Sequence, residues 1–472
     1  MSSSLATVIC VIGIAGLFYL DRDRKVRTSK ALWLPVIWLG IVGSRPASAW
    51  LGISPATTDS ASQLAEGSPI DAGVFAVLLA GGIIVLISRR RRIGACLKAS
   101  WPILIYFAYC LMSVLWSDFP DIAFKRWNKA IGDLVMVLVL VTDTEPVAAL
   151  GRLISRTGFV LMPTSVLLIR YFDNLGRGYD PDGNSMNTGV TTNKNMLGVI
   201  TLVISLGALW RFLNVILAKR QPNRVRQLLA RGTLLAFGVA VLAMAHSATS
   251  VACFILGTVL ILATYLPFIR RRPGRVHALV VMILLAGGLA MLFGGQAGIV
   301  HALGRETNLT GRTDIWAAVL PVVPNRVVGA GFESFWLGPR VEKVWSNLSR
   351  YMHVNEAHNG YIEVYLNLGW VGLALIAVIL ISGYRDAIST FRRDPRFGSL
   401  MLAYVAIAAM YSITEAGFRL LDPIWIFFLL AVVGAHGIAA GIGMRGRRPP
   451  GATSDRIARP SSSDALAPLC WE

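Results

Sequence analysis

Apolar runs of about 17 to 22 residues recur along the whole chain, broken by short pieces rich in Arg, Lys, Gly and Pro. No other feature constrains the fold as strongly, because a helix of that length crosses the hydrocarbon core of a bilayer. Such runs, shorter at 130–141 and 233–245, fall at 5–20, 31–49, 70–88, 101–116, 130–141, 153–171, 195–212, 233–245, 251–269, 278–294, 361–382, 399–413 and 423–442. In lipid, every backbone N–H and C=O must find its partner inside the protein, so these runs form helices. The expected fold is all-α, a polytopic integral membrane protein with about 13 transmembrane helices and one large loop between late spans. The 15% charged residues among 472 agree, since a soluble chain of this length carries far more.

A net charge of +19 would suggest nucleic acid in a soluble domain. Here Lys and Arg collect in alternate loops, at 22–30, 89–98, 219–231, 270–275 and 384–397, whereas loop 50–69 has neither. The positive-inside preference then puts the basic loops in the cytoplasm and the N-terminus outside, with no nucleic-acid partner. The first run lacks preceding basic residues and reads as a retained span, not a signal peptide. Residues 442–472 are Pro-, Ser-, Ala- and Arg-rich and read as a disordered cytoplasmic tail behind a membrane domain of residues 1–441. The five cysteines show no C-x-x-C or Cys/His spacing, so neither disulfides nor a metal site is expected. No internal repeat is visible, which weighs against a transporter.

The polar clusters all fall on the outer side. Lys194 and Asn195 open the span at 195–212, where Lys194 would join backbone N–H groups facing an anion, or snorkel beside an Asn cap. Arg312 lies in Gly311-Arg312-Thr313-Asp314-Ile315-Trp316, with Trp316 and Val319 on its helical face. Its planar fork suits phosphate, and pairing with Asp314 or Glu306 is the plainer alternative. Arg170 and Arg177 would add positive charge at the same level.

His358 heads His358-Asn359-Gly360-Tyr361, sharing helical spacing with Tyr361, Ile362 and Tyr365. An imidazole at a water–membrane boundary takes a proton from a hydroxyl near neutral pH, though Glu356 or Asn359 would equally satisfy it structurally. His353 competes for the role, and His246 and Glu415 either orient substrate or cap helices. Asn359 and Tyr361 complete the substrate-contact candidates. No H-E-x-x-H, P-loop, EF-hand or G-x-S-x-G motif is present in supporting context. An outward cavity with cations and a histidine fits a pyrophosphate leaving group and a hydroxyl nucleophile, and fits an anion-binding transporter as well.

Several pieces together resemble the O-antigen ligase and polymerase superfamily, in its exopolysaccharide-polymerase branch. They are Ser117-Asp118-Phe119-Pro120-Asp121, Asn193-Lys194-Asn195-Met196-Leu197-Gly198, the Arg312 segment, Gly329-Ala330-Gly331-Phe332, and His358-Asn359-Gly360-Tyr361 followed by Leu368-Gly369-Trp370-Val371-Gly372. The resemblance implies a metal- and cofactor-independent glycosyltransferase at the periplasmic face of a bacterial inner membrane, its catalytic loop at about 295–357. The donor it implies is an undecaprenyl-pyrophosphate-linked oligosaccharide, with membrane lipid, chain-length regulator and export proteins as further partners. His358 would activate the acceptor hydroxyl, and Arg312, with Lys194, would neutralise the departing pyrophosphate. The family often carries an Arg after the span at 233–245, where this chain reads His246-Ser247-Ala248-Thr249-Ser250, so Arg170 and Arg177 become the candidates for a second cation. Transfer of a finished glycan to another acceptor, and a non-catalytic exporter or flippase, are the alternatives.

Overall fold

A computed structural model describes residues 2–23, 26–53, 68–179, 183–218, 223–293, 310–348 and 354–439. Most of loop 50–69, part of the 295–357 loop including His353, and the 442–472 tail lie outside the described residues.

Within the described residues the thirteen expected runs lie mainly on helices, the run at 31–49 being interrupted at residues 43–46. In order these are α1 (Ser3–Leu20), α2 (Trp33–Val42), α3 (Pro69–Ser88), then a basic helix α4 (Arg90–Ala99) leading into α5 (Trp101–Met112). There follow α6 (Pro120–Val141), α7 (Pro146–Tyr171), α8 (Lys194–Ile216), α9 (Arg224–Ala245), α10 (Ala248–Tyr265) and α11 (Pro273–Phe293). The late loop contributes α12 (Thr310–Val319) and α13 (Pro339–Ser346) before α14 (Gly360–Arg393), α15 (Pro395–Thr414) and α16 (Pro423–Ala439). Among the described residues, eight helices are long and apolar enough to cross a membrane by themselves, and nine if α4 and α5, bent by 87°, act as one. Helices α2, α11 and α16 are apolar but shorter, and α6 carries Lys125, Arg126 and Lys129 in its first half and Asp133 just beyond.

The bundle is built around α8 and α15. From Met196 to Arg211 α8 is buried on every face, and from Phe397 to Ala408 α15 is too. Peripheral helices instead expose apolar side chains, such as Val77 and Ile84 of α3 and Ile12 of α1, which suits lipid and not water. The basic loops meet at one end of the bundle. There Arg211 and Arg231 pair with Asp21, Arg89 pairs with Asp143, and Arg152 donates to the Asp23 and Val26 carbonyls.

Between α7 and α8, Arg177–Tyr179 and Ser185–Asn187 pair as a small antiparallel hairpin. Two expectations need correction. The basic segment at 89–98 is not a loop but mostly the helix α4. The run at 361–382 is not one continuous helix. Gly369, at φ 63° and ψ −160°, interrupts α14 in a conformation open essentially to glycine alone.

That break is fully compensated. In an unbroken helix Trp370 and Val371 N–H would bond the Leu366 and Asn367 carbonyls. Here they donate to the Arg326 and Val327 carbonyls at 3.0 and 3.1 Å. The released Leu366 and Asn367 carbonyls accept from Ala330 and Gly331 N–H at 3.0 and 2.9 Å. The Tyr109 hydroxyl bonds the Leu368 carbonyl at 3.1 Å. Irregular backbone among spans survives only where protein satisfies it, and the Gly329-Ala330-Gly331 turn is what does so. A Cβ on Gly329 would collide with the Asn367 backbone, so the small residues allow the approach.

The late loop is thereby folded onto the bundle. Ile315, Val319, Ala330, Phe335, Val344 and Leu366 form a small core of their own. The Ser117-Asp118 turn after α5 braces it, with Ser117 Oγ donating to Ser334 Oγ at 2.8 Å and Asp118 paired with Arg340.

Candidate active site

His358 lies in the connection between this loop-borne layer and α14. It is not on the helix face with Tyr361 and Tyr365, as spacing suggests, because Asn359 is the N-cap and His358 precedes it. Asn359 Oδ1 accepts from the Tyr361 and Ile362 N–H groups at 3.0 Å each, and its Nδ2 donates to the Ile413 carbonyl. His358 itself has φ 47°, a left-handed conformation that costs a non-glycine residue about 1–2 kcal/mol. Surrounding structure must hold it there.

Three indoles do much of that. Trp316 of α12 donates to the Ala357 carbonyl at 2.8 Å, and Trp345 of α13 donates to the Val354 carbonyl at 2.7 Å. Trp336 donates to Glu363, whose carboxylate also accepts the Ala357 N–H. The helical face expected to join Arg312, Trp316 and Val319 therefore does so, and it packs against the His358 segment.

The imidazole sits between two carboxylates. His358 Nδ1 is 3.0 Å from Glu356 Oε1 and 3.3 Å from Glu415 Oε2. Glu415 follows α15, and its other oxygen Oε1 takes Arg312 Nη2 at 2.8 Å. Glu356 Oε2 takes Arg419 Nη1 at 3.3 Å, and Arg419 Nε reaches Glu333 Oε2 at 3.6 Å. The Arg419 loop is anchored from below by Asp133 of α6, which accepts the Leu421 N–H and the Trp38 indole.

Two carboxylate oxygens on one ring nitrogen require a proton there, so Nδ1 is the donor. Nε2 has no partner among the described residues. Burial works against charging the ring, but Glu356 and then Glu415 outweigh it and lift His358 to about 10. Burial would raise Glu356, yet His358, Arg419 and Arg312 hold its carboxyl down at about 2. Both carboxylates thus favour the imidazolium form of the ring within an ion-paired network.

Glu356, His358 and Glu415 also place ligand-type atoms within 4.8 Å of one another, close enough for a metal. Arg312 and Arg419 each hold one oxygen of these carboxylates and the Nδ1 proton of His358 faces the other two, so a metal bound by all three residues would have to replace that proton.

The remaining sequence candidates are placed less centrally. Lys194 and Asn195 are half-buried at the start of α8, where Asn193 caps Met196 N–H, and Lys194 forms no ion pair among the described residues. That helix start is near the site through packing: Gly198 lies against Ser247 and Ser250, and Thr249 bonds Thr414 beside Glu415 at 3.2 Å. His246 is exposed at the end of α9. Arg170 is exposed at the end of α7, and Arg177 pairs with Asp173 on the hairpin. Among the described residues, no ion pair or hydrogen bond joins either to Arg312 or His358. The Tyr361 hydroxyl is committed to the Ala409 carbonyl at 3.0 Å. Arg419 is the site residue that sequence reasoning misses. Its signal is slight, a Glu and an Arg four apart in a short loop between apolar runs.

Fold and cluster together define a multi-pass helical membrane protein with an Arg- and Glu-flanked histidine site at one end of its bundle. A family model described as O-Antigen ligase matches residues 233–377, which include Arg312 and His358. The exopolysaccharide production protein ExoQ of Rhizobium meliloti (strain 1021) is 24% identical over 340 residues, covering 70% of this chain and 74% of its own length. Both similarities support the O-antigen ligase and polymerase superfamily.

Proposed function

We propose that this protein polymerises exopolysaccharide repeat units, taking each glycan from an undecaprenyl-pyrophosphate carrier at the periplasmic face of a bacterial inner membrane. The observation that carries this reading is the clamped His358, its Nδ1 bound by carboxylates and its Nε2 unpartnered among the described residues, with Arg312 tied to the same Glu415. The similarity to a protein named for exopolysaccharide production supports the product class. Chain-length regulators and export proteins are the partners such a polymer would need.

In the transfer, an acceptor hydroxyl oxygen forms a bond to the anomeric carbon of the donor glycan. The bond from that carbon to the pyrophosphate oxygen breaks, and its electron pair leaves with the carrier pyrophosphate. The hydroxyl proton passes to Nε2 of a neutral His358, which Glu356 and Glu415 hold in the correct tautomer. Arg312 meets the charge that grows on the leaving group, where a preorganised cation lowers the barrier most. No metal is assigned a role, because guanidinium groups supply the positive charge.

The deciding experiment gives purified protein in lipid a synthetic lipid-linked repeat unit and follows product length on a gel. A ladder is expected. A single-step product that needs an added acceptor would make the protein a ligase, and no transfer from folded protein would remove the enzymatic reading in favour of export.

The acid–base reading has its own signature. The base must be neutral, and its carboxylate neighbours favour the imidazolium, so transfer should rise with pH across the neutral range and level off only in alkaline solution. Glu356→Gln removes the closer carboxylate and should move that rising limb down by about one pH unit or more. An unshifted limb would mean that another group takes the proton.

A further inference from the structure

We propose that Glu415 is a positioning residue that couples the leaving-group cation to the base, one carboxylate oxygen aiming Arg312 and the other aiming His358. This rests on the transferase reading above and assigns the residue that makes its two halves one unit.

Glu415 is suited to the role by its surroundings. Its side chain is 7% exposed, against 23% for Arg312 and 29% for His358, so it is the fixed member of the three. Its backbone N–H closes the last turn of α15 on Tyr411, and Thr414 beside it bonds Thr249 of α10. Asn359 ties the start of α14 to the Ile413 carbonyl, so the His358 segment and Glu415 share one rigid junction. Neither functional side chain has that support alone. Arg312 is 103 residues from Glu415 in sequence and comes from the loop-borne layer.

The contact leaves both groups able to work. Arg312 uses Nη2 on Glu415, and no described residue takes its other N–H donors, which stay available to a phosphate oxygen. His358 uses Nδ1, leaving Nε2 for the acceptor hydroxyl. The charges facing the ring are Glu356 from its own segment and Glu415 from α15. Behind these stand Arg312 of α12 on Glu415, and Arg419 with Glu333 on Glu356. An anion drawing on Arg312 weakens that guanidinium's hold on Glu415 and strengthens the carboxylate's hold on the ring. Arrival of the leaving group's charge and the basicity of His358 are thus linked through Glu415.

The test uses the full chain in lipid nanodiscs with 15N-labelled histidine and inorganic pyrophosphate as the probe. The His358 nitrogens are assigned by their loss in His358→Ala. In the wild type, pyrophosphate should move the His358 resonances and raise the pH at which they titrate. In Glu415→Gln, pyrophosphate should still bind at Arg312 but leave those resonances in place. Glu415→Asp retains the charge with a reach one methylene shorter, and should lose the coupling while folding if the Gln variant does not. A response that persists in both variants, or no response in the wild type, overturns the proposal.

In the transfer assay the same Gln substitution should lower kcat by about 10- to 100-fold with donor KM nearly unchanged. A raised KM with kcat intact would make Glu415 a substrate ligand instead. Absence of glycan transfer in the wild type would sink the transferase reading while leaving the pyrophosphate result to stand by itself, so the two failures are separable.

Discussion

His358→Ala is expected to reduce glycan transfer by about 10²–10⁴-fold, the usual contribution of a positioned general base. At about 1.36 kcal/mol per decade this is about 3–5 kcal/mol of transition-state stabilisation. Binding of the lipid-linked donor should survive, because Arg312 keeps its tie to Glu415 without the ring. The substitution leaves the Asn359 cap and the Trp316 contact in place, and the protein should remain folded. Product length on a gel, with donor binding and thermal unfolding measured in parallel, checks all three. Full activity in the variant would exclude His358 as the base and turn attention to Glu356 and Glu415.

Gly369→Ala is expected to cost about 3–5 kcal/mol, combining a forced unfavourable backbone conformation with an overpacked contact. An added Cβ would collide with the Val327 carbonyl, which is backbone and already bonded to Val371 N–H. Relief requires moving the 326–331 turn segment, and that opens the hydrogen bonds that compensate the break in α14. The Gly329-Ala330-Gly331 turn would then lose its seat and Trp336 its hold on Glu363, so activity should fall together with stability. Thermal unfolding of the solubilised variant is compared with that of a control, Gly94→Ala, where an added Cβ in α4 meets only open space. The comparison separates a local clash from a general sensitivity to added methyl groups. A variant as stable as the wild type would show that the break is not the anchor of the late loop.

The apolar helices were legible because burial of apolar surface in a bilayer is non-directional and depends on run length, which a sequence displays directly, though only eight or nine of the described helices are long and apolar enough to cross a membrane. The gathering of basic residues at one end of the bundle was legible for the same reason, since loop charge alternates along the chain. The start of α14 was less so, because helical spacing put His358 on its face, whereas Asn359 caps the helix and His358 precedes it. The break at Gly369 was not, because a single glycine within an apolar run signals a kink only when a partner segment is present to take the released backbone bonds. That segment lies about forty residues upstream and is brought alongside only in the fold.

The functional residues divide in the same way. The sequence by itself determined which residue types lie at the ends of spans, and so proposed Arg312, His358 and Glu415 as chemistry-bearing groups. Only the tertiary structure decided which of them meet. It joined Arg312 to Glu415 and Glu415 to His358, brought Arg419 to Glu356, and left Arg177 paired with Asp173 on the hairpin, apart from that cluster. The physical reason is the range of the interactions. A span is specified by the hydropathy of neighbouring residues, whereas an ion pair needs two side chains within about 4 Å, and helix packing alone sets which distant residues come that close.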